Sequence, residues 1–494
     1  MRVHPSSRFV RRALVAFATA LLVAGSAANA FAQRRLTLDD ALKQAVEKSA
    51  ALDAARAGES RADADIQRAD SQRLPQINFA GSYDRTLASE FSGAFESIGT
   101  PCAPLAVDPS RPLGDRVAEI ERAATCGAFG AGGGIDFSNL PFGQRNVYRV
   151  TLNFAQSVYA GGRIKAQRTQ AELGRQVATL ATDAATAQVQ LDVTRAFFDA
   201  ALADRLVIIA EAGAQQTEAA YQQARLNVEA GRQPEFEMLR AQVTRDNQRP
   251  VVIRRKADRD IAYLRLRQLL ELPASDVFMV DADLENDRLA APEPFAAALM
   301  AEAGAAAIDR NGTRQAVALV QVREAGVTVA QAERKPSLNI LSSFGRVGYP
   351  SDGFLPGVGD FRTNWTVGAA LTIPVFTGFR LKADELAARA DVAEAKARLE
   401  QSREVAELES AASKQDLTAA ESVWEATAAT IQQAERAYQI AELRYREGIS
   451  TQLELQDSRL ALQLAQANRA VAARDVQIAR ARLALLPNLP LGAR

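Results

Sequence analysis

The side chains that could do chemistry here are few, and their types narrow the choice at once. The only histidine is His4. It lies in a basic stretch (Arg8, Arg11, Arg12) that precedes an apolar run from Ala13 to Ala24 and small residues at Ala28 and Ala30. This order reads as a secretory signal peptide over residues 1–30, with an alternative cleavage after 32. The mature chain then has no imidazole, which removes histidine-based triads and histidine-containing zinc sites. Two cysteines remain, Cys102 and Cys126, in a compartment that permits disulfides. A bond between them would close a loop of about 24 residues and stabilise by roughly 3 kcal/mol on the chain-entropy estimate. The other reading is two unrelated buried thiols. There is no phosphate-binding glycine loop between a strand and a helix and no acid pair away from helix surfaces, so neither catalysis, a cofactor nor a metal is expected.

What is left is carboxylate, phenol and guanidinium chemistry around two glycines. Gly231 and Gly448 are each followed six positions later by an acid, Glu237 and Glu454, and Asp457 lies one helical turn beyond Glu454 on the same face. Acids in the first turn of a helix are favoured by its dipole whatever their function, so position alone does not assign them a role. Lys plus Arg and Asp plus Glu both number 59, and no basic block suggests nucleic acid.

The elements that must position these residues occur twice. Ser157 to Leu173 aligns with Pro374 to Ala390, and Ala220 to Leu239 with Ala437 to Gln456, at one constant offset; Arg73 to Tyr83 aligns with Arg334 to Phe344 at a larger one. The extra positions fall between the paired strands of the first half, in a loop over 85–146. We assign 33–270 to the first repeat, 271–295 to a linker and 296–487 to the second repeat. Each half reads helix, strand, loop, strand, very long helix, turn, long helix.

The strands alternate. Ile77, Phe79 and Tyr83 share one face, with Gln76, Asn78, Ser82 and Asp84 on the other; Tyr148, Val150, Leu152 and Phe154 oppose Arg149, Thr151 and Asn153. Leu338, Ile340 and Phe344, then Trp365, Val367 and Leu371, repeat the pattern. Four such strands are too few to close a barrel, for which about eight is the minimum, so closure requires several copies. No mature segment offers about 18 consecutive apolar residues, and a transmembrane helix is not expected. From Gly162 to Glu229 and from Phe379 to Glu447 no proline interrupts runs rich in Ala, Leu, Gln, Glu and Arg, each about 100 Å long as a helix. Val177, Leu180, Ala184, Ala187, Leu191 and Thr194 step by three and four, the seam spacing of a coiled coil. Antiparallel partners are expected over Pro234–Leu270 and Thr451–Leu485. Gly231 and Gly448 close the long helices, and Ser450 or Thr451 caps the next one.

At these residues the sequence resembles the TolC family of outer-membrane efflux and secretion channels. The carriers are LTLDDALKQAVEKSAAL from Leu36, the strand exits VYAGGR and VFTGFR, and YREGISTQLELQDSRLAL from Tyr445. The resemblance implies an α+β membrane protein. A homotrimer with four strands per protomer closes one twelve-stranded barrel in outer-membrane lipid, continued by a long antiparallel α-helical coiled-coil tunnel through the periplasm. It implies an inner-membrane pump and a periplasmic adaptor (membrane fusion protein) as partners, and the role of exit duct for small molecules. It also places Glu237, Glu454 and Asp457 at the periplasmic constriction, where three copies of each acid repel one another and attract cations. Tyr445, Arg232 and Arg240 are the candidates for restraints that hold the tip shut. The alternatives are an outer-membrane component of type I protein secretion and a periplasmic coiled-coil adaptor or scaffold.

Overall fold

The computed structural model describes residues 34–88, 103, 105–125, 145–273, 275–284, 289–301, 310–350 and 354–492. The predicted signal peptide, Cys102, Cys126 and the glycine-rich stretch 130–134 lie outside the described residues. In chain order the elements are β1 (Arg34–Leu36), α1 (Leu38–Lys48), α2 (Ala50–Ser71), β2 (Gln76–Arg85), α3 (Leu113–Thr125), β3 (Asn146–Ala160), α4 (Arg163–Glu229), α5 (Glu235–Leu269), β4 (Phe278–Val280), α6 (Glu293–Ala301), α7 (Asn311–Ala332), β5 (Ser337–Gly348), β6 (Phe361–Thr372), α8 (Arg380–Arg446) and α9 (Gln452–Leu485). They divide into two compact units. One holds the described residues of Met1–Ala64, Gln170–Glu324 and Arg389–Arg494, the other those of Asp65–Thr169 and Ala325–Ala388.

The first unit is mainly helical, and its largest buried cluster is centred on α4. Phe197 and Phe198 of α4 pack edge to face, 5.5 Å between ring centres. Around them gather Leu36, Leu42, Leu266, Leu270, Phe278, Phe295, Leu485 and Leu489. The predicted seam of α4 faces inward: Leu180, Ala187, Leu191 and Thr194 are all buried, and their small members let neighbouring helices approach. The close approach is plainest at Gly213, where a methyl group would meet the amide of Gln463 on α9 and that of Gln248 on α5. α1 begins where Thr37 accepts the Asp40 N–H, with Asp39 and Asp40 opposite the helix dipole and Lys48 in the last turn.

The stretch 271–295, expected to be a linker, contains β4. It pairs in parallel with β1, Arg34 opposite Phe278 and Leu36 opposite Val280. Tyr263 of α5 fastens this small sheet: its hydroxyl donates to Asp204 of α4 at 2.6 Å and accepts from the Val280 N–H at 3.2 Å.

The second unit is built on an antiparallel sheet in the order β2, β3, β5, β6. Its register lines up whole rows: Phe79, Leu152, Phe344 and Trp365 in one, Ile77, Phe154, Ser342 and Val367 in the next. Side chains of one row share a face because each strand alternates. At the exit of β3 the chain turns through Gly161 and Gly162, both at positive φ. Gly161 has a second reason to be glycine, since a Cβ there would lie 2.7 Å from both the Ala332 carbonyl oxygen and Lys335. The repeated exit uses Gly378 and Phe379 in the same left-handed region.

Candidate functional site: two glycine turns and an exposed sheet face

Both long helices end in the same closing motif. At the first, Gly231 has φ 68°, its N–H donates to the Val228 carbonyl at 2.9 Å, and the Arg232 N–H reaches back to Asn227 at 2.8 Å. At the second, Gly448 has φ 74°, donates to Tyr445 at 3.1 Å, and Ile449 reaches back to Arg444 at 2.8 Å. This pair of bonds satisfies the last carbonyls of a helix and needs a left-handed residue at the bend, which glycine adopts at least cost. The following helices start differently: Thr451 caps α9 through the Glu454 N–H, whereas Pro234 precedes α5 without a side-chain cap.

The residues singled out from the sequence separate into three groups here. Glu454 is engaged, its carboxylate 3.1 Å from the Arg444 guanidinium, with both side chains nearly half exposed. Tyr445 is buried at 2% exposure, packed with Ala441 and Leu455 against Ala220 and Tyr438. Its hydroxyl has no hydrogen-bond partner among the described residues, and neither has the buried Oε2 of Glu237. Burial first, and the Glu237 charge second, push the Tyr445 phenol up to about 12. Arg232 and Asp457 are exposed and Arg240 is half-buried, and these three make no side-chain hydrogen bond or ion pair among the described residues. Tyr445 and Glu237 are brought together, while Arg232 and Arg240 form no ion pair with Glu237 among the described residues.

Other polar groups at the turns were not legible beforehand. Gln233 Oε1, Ser450 Oγ and Gln452 Oε1 are also buried without partners among the described residues. On α9, Arg459 is 5% exposed, and burial lowers its pKa while Tyr438 opposes the shift. Thr244 of α5 donates to Gln456 of α9 at 3.3 Å. The one signal for Arg444 was a basic residue in the last helical turn, where the helix dipole favours it.

The sheet carries the other site. Its apolar rows are exposed: Phe79, Trp365 and Val367 are 73%, 70% and 70% exposed. At the end that bears the long loop, Tyr83 and Tyr148 lie 4.8 Å apart and both meet Phe354, while the Tyr148 hydroxyl donates to the Phe354 carbonyl at 2.5 Å. The opposite face is polar, with Arg149 paired to Asp84 and Ser343 donating to Asn153 at 2.8 Å. Among the described residues β2 and β6 each pair on one side only, and no helix is long and apolar enough to cross a membrane. No group of three or more histidine, cysteine or acidic residues that could hold a metal ion occurs among the described residues.

A family model described as outer membrane efflux protein matches residues 116–271 and 306–488, more than half of the chain. The chain belongs to the outer membrane efflux protein family. No curated relative matches it by sequence. Among solved structures it is similar to CusC, at 16% identity over 91% of each chain and a TM-score of 0.68. VceC of Vibrio cholerae matches at 18% identity over 92% of this chain and 96% of its own, TM-score 0.65. The open-state MtrE channel of Neisseria gonorrhoeae matches at 17% identity over 92% and 89%, TM-score 0.66. The fold is thus that of the TolC-like channels, as the strand exits and the Tyr445 motif imply. The family places the protein in the outer membrane as an efflux-type channel and not among the enzymes.

Proposed function

We propose that this efflux protein is the exit duct of a tripartite pump, a passive conduit for small molecules that an inner-membrane transporter expels and a periplasmic adaptor passes on. The observation that carries this reading is the four-stranded sheet. It exposes an apolar face and, among the described residues, leaves one edge of β2 and one of β6 unpaired. Exposed edges and lipid-facing apolar rows are stable together only when a barrel closes. Three copies would supply twelve strands, above the minimum of about eight. In such a homotrimer the coiled-coil helices would form the periplasmic tunnel. Glu237, Glu454 and Asp457 would approach one axis at its mouth, with Tyr445, Arg232 and Arg240 beside them. Arg444, by holding Glu454, is a restraint of the closed mouth. A disulfide between Cys102 and Cys126 would brace the surface loop.

The test is cargo dependence in cells. Deleting the protein should raise retention of a fluorescent small-molecule efflux substrate, and the rise should be absent where the inner-membrane pump is already missing. Unchanged retention, together with loss of a secreted polypeptide from the medium, would replace small-molecule efflux by protein secretion.

A further inference from the structure

The face of the sheet that carries Phe79 and Trp365 is apolar along most of its length, yet two arginines stand on it. Arg346 of β5 shares its row with Gly81, Val150 and Thr363, between the Phe79 row and the row of Tyr83 and Tyr148. Arg85 continues the same face of β2 one row beyond Tyr83, opposite Asn146. Both are exposed, and neither has an ion-pair partner among the described residues. Arg346 has one side-chain bond, a long one of 3.5 Å from Nε to Thr363 Oγ1. On the polar face the situation is reversed, since Arg149 there is neutralised by Asp84.

An uncompensated guanidinium on a lipid-facing surface is costly unless its head reaches the polar boundary. The neighbouring rings mark that boundary, because tyrosine and phenylalanine gather where hydrocarbon gives way to headgroups. A guanidinium at that depth has one abundant complement, the phosphate of an anionic lipid, which it can hold through two parallel N–H bonds. We propose that Arg346 and Arg85 bind the phosphates of anionic membrane lipids at the loop-bearing rim of the sheet. Thr363 holds the Arg346 side chain in place. The inference rests on the reading that this face meets the bilayer.

The experiment uses the intact oligomer in vesicles of phosphatidylcholine, with or without phosphatidylglycerol. Retained phosphatidylglycerol is counted by native mass spectrometry after detergent extraction. Each arginine changed to glutamine, R346Q or R85Q, should weaken retention about fivefold. R346K should restore most of it, and R149Q should match the unaltered protein. Equal retention in R85Q/R346Q and the unaltered protein would overturn the proposal, as would stabilisation by inorganic phosphate alone equal to that by the lipid. Quenching of Trp365 by brominated acyl chains separates the two layers of argument. Quenching with no arginine effect removes the phosphate site alone, whereas no quenching removes the lipid-facing assignment and the site with it.

Discussion

Arg444 and Glu454 meet across the second glycine turn at 3.1 Å, joining the last turn of α8 to the first turn of α9. The pair is nearly half exposed on both sides, and exposed ion pairs contribute about 0.5 kcal/mol. R444Q should therefore leave the melting temperature almost unchanged while it frees Glu454. In the proposed mouth this adds uncompensated negative charge, so R444Q should strengthen block of the channel by multivalent cations in planar bilayers. Block weaker than in the unaltered channel would count against Arg444 as a restraint.

The acids themselves give the complementary prediction. E454A/D457A should raise conductance and relieve cation block, because fewer carboxylates crowd the axis. Conductance and block both unchanged would place Glu454 and Asp457 off the pore, with the Glu454 carboxylate serving only its pair with Arg444.

Tyr445 makes alkaline behaviour specific. Its folded pKa of about 12 lies above the ordinary phenol value of 10. The raised value means that the folded state favours the protonated form, so this contribution to stability is full below pH 10 and is lost as pH rises toward 12. Spectroscopic titration of the unaltered protein minus Y445F should show a phenol ionising near the upper value. A difference curve centred at the ordinary value would show that Tyr445 is hydrated.

Glycine substitutions should rank by what a side chain would meet. G448A places alanine at φ 74° in open space, a cost of about 1 kcal/mol. G161A adds to similar strain a clash with the Ala332 carbonyl and Lys335 and should cost more, read as a larger fall in the melting temperature of the oligomer. Within the helical core, Phe197 at 1% exposure predicts a loss of about 3–5 kcal/mol on change to alanine.

How much of this was readable in advance follows from length and periodicity. The helices α4 and α8 run 67 residues each, α4 ending at the expected Glu229 and α8 one residue short of Glu447; proline-free runs closed by glycine announce such elements. The strands announced themselves by alternation, since Phe79, Leu152, Phe344 and Trp365 needed no register to reveal their face. β1 and β4 did not, because three residues are too few to display a period of two, and their pairing depends on Tyr263 and on the core beneath. The amphipathic α3 lies inside the long loop, which the offset between the repeats marks only as extra length with no counterpart in the second half. At the turns the glycines and the Thr451 cap were legible, while the Arg444 and Glu454 pair and the buried Tyr445 beside Glu237 depend on how the helices pack after each bend.

The claim on which the rest depends is that one sheet of four strands becomes a channel only in company. The most direct measurement is the mass of the protein extracted from outer membranes, taken on the same sample that is placed in planar bilayers. The account predicts a complex of three chains that conducts without added energy and dissociates on heating. A single chain that folds stably and does not conduct would contradict it.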